Sequence, residues 1–332
     1  MSRRILTGES GPGDHESGEF SGGSMSSQHM AAPPNRFKLS FLGPVAIGIV
    51  LIVAAFIVAA IFTGGSSKSD PLKAAISKAE EQVRNDPNSA ELRVAVADAY
   101  LKAKRYDDAL AQYHEALNID PNREDALYGL GIAEKEKGDL NAAGAALQAV
   151  IQMNAGKENL GLNPRLQGAH FYMGQVLREQ GRYDDAINEF RKALALNRSD
   201  ADTLFELAKT FALNGSNDDA SQAFDVALAF VPDFREAYVE VEKLATTMGD
   251  QAKADYARAM LMVLDGKPKD AVPVLQQAAQ NGGNAHYYWA LGWALEKTDD
   301  KPGAMAAYQK AVDINPGEQM AAESLRRLQA GG

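Results

Sequence analysis

The sequence predicts an all-α chain: an α-solenoid of helix-turn-helix repeats preceded by one transmembrane helix. Three observations carry that expectation. A small residue on a helical apolar face recurs at Ala97, Gly131, Gly174 and Ala208, at intervals of 34, 43 and 34 residues, and again at Gly292. In step with it come Ala109, Ala143, Ala186, Ala220 and Ala304, each followed four residues later by a large side chain: Tyr113, Leu147, Phe190, Phe224 and Tyr308. Finally, Phe41 to Phe62, FLGPVAIGIVLIVAAFIVAAIF, runs 22 residues without a charge.

Taken in order, residues 1–40 are rich in Gly, Ser and Pro, without apolar period. Such a composition buries too little surface to offset the entropy of ordering, so a disordered tail is expected. Arg3-Arg4 resembles a twin-arginine export pair, but the apolar run begins too far downstream, and two ordinary tail arginines are the better reading. As a helix the run reaches roughly 33 Å, enough to cross a hydrocarbon core of about 30 Å, so residues 41–63 are assigned as a membrane helix. A cleaved signal peptide has a shorter apolar region nearer its start. Pro44 falls in the first turn, where its missing N–H costs least. Ala55 and Ala59 form a small-xxx-small pair compatible with weak self-association through this helix. Arg36 and Lys38 precede the helix and Lys68, Lys73 and Lys78 follow it, so flanking charge does not settle orientation. The short tail of a signal-anchor favours a cytoplasmic N-terminus, with the repeats outside the inner membrane (periplasmic or extracellular).

Residues 64–70, GGSSKSD, read as a flexible linker. A capping helix is expected over 71–86, opened by Pro71, with Leu72, Ala75, Ile76, Ala79 and Val83 on one face. The repeat array then occupies 87–316. Pro121, Pro232 and Pro316 stop its second helices, and the nine extra residues in the long interval fall in an inserted loop, Gly156 to Pro164. Between 235 and 283 the register departs: Glu242 stands at the small-residue position, and further helices are expected over Asp255 to Leu264 and Pro268 to Gln280. One helix there is expected to be both the second of one repeat and the first of the next, a half-repeat slip. Residues 317–332 supply a cap helix, with Met320, Leu325 and Leu328 on one face, and a tail.

The unit Ala169 to Asn197, AHFYMGQVLREQGRYDDAINEFRKALALN, shows the pattern whole. Gly174 and Ala186 are small where two helices approach, and Phe190 is large where the gap must be filled. In period and in its order of small and large residues it resembles the tetratricopeptide repeat (TPR). That resemblance, spanning residues 85–329, implies a right-handed superhelix whose first helices line a concave face where peptides lie. Carried onto this chain, the exposed first-helix positions are Tyr128, Ile132, Phe171, Gln175, Phe205, Lys209, Trp289 and Trp293. They would make an aromatic groove with few charges, suited to an extended or helical apolar peptide. Packing between first helices is an equally good account of aromatics there. The chaperone-binding subtype of the family holds a C-terminal carboxylate with basic and Asn residues. Here Val94 and Asp98 occupy those positions, which disfavours it.

Composition narrows the function further. The 332 residues include no cysteine, which excludes disulfides, thiolate zinc, a cysteine nucleophile and a lipid-attachment cysteine. Residues 1–40 carry four basic and four acidic side chains, so the net charge of -10 lies wholly after the apolar run. An acidic domain without a basic run does not suit nucleic acid. There is no G-x-x-x-x-G-K-[ST], G-x-S-x-G or H-E-x-x-H, and His15, His29, His114, His170 and His286 are isolated. No catalytic residue, metal ligand or cofactor is expected. Asp107-Asp108, Asp184-Asp185 and Asp218-Asp219 recur just before the second-helix alanine, where negative charge favours a helix N-terminus. The matches to the N-glycosylation pattern at Asn197 and Asn214 are of a length that arises by chance. The expected function is a membrane-anchored scaffold or adaptor that docks protein or peptide partners, in the layout of bacterial envelope proteins with an anchor and external repeats. A cytosol-facing receptor or chaperone-type cofactor is the alternative, and an enzyme with an unrecognised site a third.

Overall fold

The structure is a computed structural model that describes residues 70–157 and 163–331. The expected tail and membrane helix, and the centre of the inserted loop, lie outside these residues. Among the described residues no helix is long and apolar enough to cross a membrane, and no strand occurs. Fifteen helices follow one another: α1 Pro71–Asn85, α2 Ala90–Lys102, α3 Tyr106–Ile119, α4 Glu124–Lys137, α5 Leu140–Met153, α6 Pro164–Glu179, α7 Tyr183–Leu196 and α8 Ala201–Leu213. Then come α9 Asn217–Phe230, α10 Arg235–Met248, α11 Gln251–Leu264, α12 Pro268–Gly282, α13 Ala285–Glu296, α14 Lys301–Ile314 and α15 Gln319–Ala330.

Eight of the helices begin where a short polar side chain accepts an orphan backbone N–H group. Asp70 caps α1, Ser89 α2, Asp139 α5, Asn163 α6, Asp200 α8, Asp250 α11, Asn284 α13 and Asp300 α14. The recurrent aspartate pairs fall in the first turns of α3, α7 and α9. Arg105 and Arg182 each hold the second Asp of their pair, at 2.7 and 2.6 Å.

Within each repeat the small residue of the first helix lies under the large residue of the second. A Cβ on Gly131 would meet Leu147 at 2.7 Å, one on Gly174 would meet Phe190 at 2.7 Å, and one on Gly292 would meet Tyr308 at 2.6 Å. The side chains of Leu147, Phe190 and Tyr308 have no exposed surface. Close approach of the paired helices therefore depends on the absence of a side chain at these three positions.

The slip occurs as expected, one helix turn earlier than the expected start: α11 begins at Gln251, not Asp255. First helices of successive repeats touch along the inner side, α2 to α4, α4 to α6, α6 to α8 and α8 to α10. After α10 this inner line passes to α11, α13 and α15. The turns explain the change. The first-to-second turns close with a backbone N–H bonded to the carbonyl five residues back, as in Ser216 to Phe211 at 2.9 Å. Both α10–α11 and α11–α12 close in this way, Asp250 to Ala245 and Lys267 to Met262, each at 2.9 Å around a left-handed Gly249 and Gly266. No repeat-to-repeat linker intervenes, so α11 is second helix to α10 and first helix to α12. It is buried on both sides accordingly, by Ala254, Tyr256, Ala257, Ala259, Met260 and Val263. Lys253, buried on the same helix, reaches back to α9, its ammonium 2.7 Å from both Asp225 carboxylate oxygens and from Ser221 Oγ.

Apolar packing divides in two. One cluster runs from Ile76 to Ala133 over α1–α4 with Ala146, and the other from Ala143 on α5 to Leu325 on α15. Among the described residues no buried side-chain polar atom lacks a partner.

Candidate functional site

The eight residues expected on the inner face are all on inner helices, but they do not form one stripe. The five aromatic ones fall into three clusters, with no ring contact between clusters among the described residues. In the first, Tyr128 meets Tyr172 edge-on at 6.0 Å, and Tyr172 meets Phe171 at 5.2 Å. Phe171 in turn rests on Phe190 at 6.0 Å, and Tyr128 presses its hydroxyl on Gly168 of the next first helix. The second joins Phe205 to Phe224 at 5.9 Å and to Phe234, in the α9–α10 linker, at 4.9 Å. Ile132 and Gln175 are half-buried and belong to neither cluster.

Charge is also closer to these rings than the groove expectation allowed. Lys209 Nζ lies 4.9 Å from the Phe205 ring centre and 3.2 Å from Glu206, which also receives the Arg178 guanidinium. Tyr128, Phe171 and Phe205 are half-buried and pack between helices.

The third cluster is different. Trp289 and Trp293, one turn apart on α13, stack at 5.8 Å with ring planes 12° apart. Trp289 is 5 % exposed, against the expectation of an exposed position, because His286 stacks on it at 4.9 Å. Behind His286 lies Tyr256 of α11 at 5.7 Å, which also contacts Tyr238 of α10 at 5.9 Å. A run of rings thus connects the slipped helices to the tryptophans.

The tryptophans line a cleft of about 450 Å³, with Pro232 and Asp233 from the α9–α10 linker and Met320, Glu323, Ser324 and Arg327 from α15. The expected site included only the two tryptophans of this cleft. Its other walls come from a helix-stopping proline and a cap helix, whose apolar face, with Met320, was the one legible sign. Arg327 does not stand free in it: its guanidinium donates a forked pair of bonds to Glu296, at 2.5 and 2.7 Å. That fork holds the Glu296 carboxyl below the usual range, opposed by partial burial and helped by the hydroxyl of Tyr308 at 3.0 Å. Desolvation raises the Tyr308 and Tyr287 phenols, so both stay neutral, and Tyr308 is the one that donates, to Glu296. Asp233 and Glu323 have no hydrogen-bond or ion-pair partner among the described residues.

Nothing in this arrangement activates a nucleophile or gathers metal ligands. No group of three or more His, Asp or Glu able to hold a metal occurs among the described residues. His170 faces Glu189 at 2.6 Å between the two helices of one repeat, which is a packing role. What the cleft offers is aromatic and thioether surface with carboxylates at its edge, a surface for binding.

Comparison with known proteins agrees with this geometry. Models of the TPR repeat match residues 97–138 and 174–215, 125–154, and 251–318. The last begins at α11 and so reads that helix as the first of a repeat. DnaJ homolog subfamily C member 3 of Mus musculus is 27% identical over 183 residues, 54% of this chain and 34% of the relative. The chain thus spans about a third of the length of that curated relative. Among solved structures, PilW, a widely conserved type IV pilus biogenesis factor, superposes with a TM-score of 0.55 at 18% identity, covering 67% of this chain and 94% of PilW. PilF of Pseudomonas aeruginosa gives a TM-score of 0.51 at 20% identity, covering 65% and 93%. At such identities the likeness is one of fold.

Proposed function

Because this chain belongs to the tetratricopeptide repeat family, we propose that it is a docking scaffold, held at a membrane by residues 41–63, that captures partner proteins or peptides on its inner helices. The observation that carries this reading is the cleft of about 450 Å³ where both tryptophans of the chain meet the cap helix. Aromatic side chains on a rigid concave wall are the groups that most often anchor a bound segment. The anchor is supported by the 22-residue uncharged run, too long for a signal-peptide core. With the short tail in the cytoplasm the repeats stand outside the inner membrane, and the partners are proteins of envelope assembly or biogenesis.

Two experiments test this. Trp289→Ala combined with Trp293→Ala is expected to reduce recovery of the partners co-purified from membranes while far-UV circular dichroism retains the helical signal. Undiminished recovery would remove the tryptophans as the contact. Protease added to spheroplasts is expected to degrade the repeats; their survival would place the array in the cytosol, as a receptor facing that side.

A further inference from the structure

We propose that the α13–α15 cleft selects a cationic side chain, Arg or Lys, presented by the docked segment. The inference rests on the docking reading and gives it a ligand chemistry. The aliphatic stem lies along Trp289, Trp293, Met320 and Pro232, and the charged head meets the carboxylates of Asp233 and Glu323.

The charges inside the cleft decide for a cation. Arg327, its one cationic wall residue, is already committed to Glu296 by two short bonds. Asp233 and Glu323 have no partner among the described residues, so a wholly apolar segment would cover them without compensating their lost water. An acidic segment would add like charge. Lys297 rests its ammonium 5.0 Å from the Trp293 ring centre, outside the residues that line the cleft, and makes no ion pair with Asp233 or Glu323. Beyond the cleft, the chain after residue 63 holds 30 basic against 40 acidic side chains, a field that draws a cationic segment toward it.

The chain contains two tryptophans and both are in the cleft, so intrinsic emission reports this site alone. The full chain in detergent micelles is titrated with three acetylated, amidated peptides that differ only in a central pair: Arg-Arg, norleucine-norleucine or Glu-Glu. The Arg peptide is expected to shift the emission and bind at least about tenfold more tightly than the norleucine peptide. Asp233→Asn with Glu323→Gln, both exposed and sterically conservative, is expected to bring the Arg peptide to the norleucine level without weakening the norleucine peptide, whose covered groups then cost less to desolvate. Equal binding of the Arg and norleucine peptides, or an Arg affinity indifferent to the double substitution, overturns the cationic inference while the docking reading stands. Tighter binding of the Glu peptide also overturns it. An emission unmoved by all three peptides overturns it and removes this cleft as a dock.

Discussion

Gly174→Ala probes the contact on which each repeat is built. The added Cβ would lie 2.7 Å from Phe190 Cε1, 2.8 Å from Cδ1 and 2.9 Å from Cζ, well inside contact distance. Phe190 has no exposed surface, and Phe171 holds its ring edge-on at 6.0 Å, so it has no free space to turn into. Forcing a methyl into such a site costs about 1–3 kcal/mol. Against this, alanine gains about 1 kcal/mol over glycine inside a helix. Gly144→Ala in α5 isolates that gain, because the nearest atom to its new Cβ is Val176 Cγ1, at an ordinary 3.8 Å. Subtracting one variant from the other removes helix propensity and leaves the overpacking alone, about 1–3 kcal/mol with Gly174→Ala the less stable. Urea unfolding followed by far-UV circular dichroism measures both, and the expected midpoints fall on opposite sides of the parent. A Gly174→Ala variant as stable as Gly144→Ala would refute the argument that helix approach is limited at this position.

Two further outcomes follow from the turns and the cap. Lys104 holds φ 57° in a first-to-second turn where five other turns place glycine and one places Asp299; Lys104→Gly is expected to stabilise the chain by about 0.5–1 kcal/mol by thermal or urea unfolding, and a loss would show that the lysine side chain outweighs its backbone strain. The Arg327 fork and the Tyr308 hydroxyl lower the Glu296 carboxyl against the opposing effect of burial. A carboxyl lower in the folded than in the unfolded chain adds stability that is present above its unfolded value and lost as pH falls through the folded one. Arg327→Gln should therefore flatten the acid side of the stability–pH profile below the ordinary carboxylate range, and an unchanged profile would show that the fork does not tie α15 down.

Much of the fold was legible because its defining contacts are local. Gly174 and Phe190, or Gly292 and Tyr308, meet within one helix pair, so their spacing survives in the chain and can be counted. The slip left a signal as well. Ala259, Ala271, Leu275 and Ala278 carry the repeat pattern on α11 and α12, and all four are buried. Counting forward from Ala208 hides it, because that register places Glu242 at the small position and α10 is an additional helix. The inner face was legible only in part. Residues Tyr128, Phe171 and Phe205 were correctly set on first helices, yet how much of each ring remains free depends on Gly168, Tyr172, Phe190 and Phe234, which other helices and a linker bring.

The sequence by itself determined the repeat family, the helix pairs, the places where caps and glycine turns divide them, and the lack of any recognised catalytic motif. These follow from periodicity and from residue types whose physical demands act within about one repeat. Only the tertiary structure decided that Pro232 and Asp233 meet Trp293 and Glu323 around one cleft. Those neighbours come from the α9–α10 linker, α13 and α15, and their meeting is a sum over many packing contacts between helices that no single spacing records.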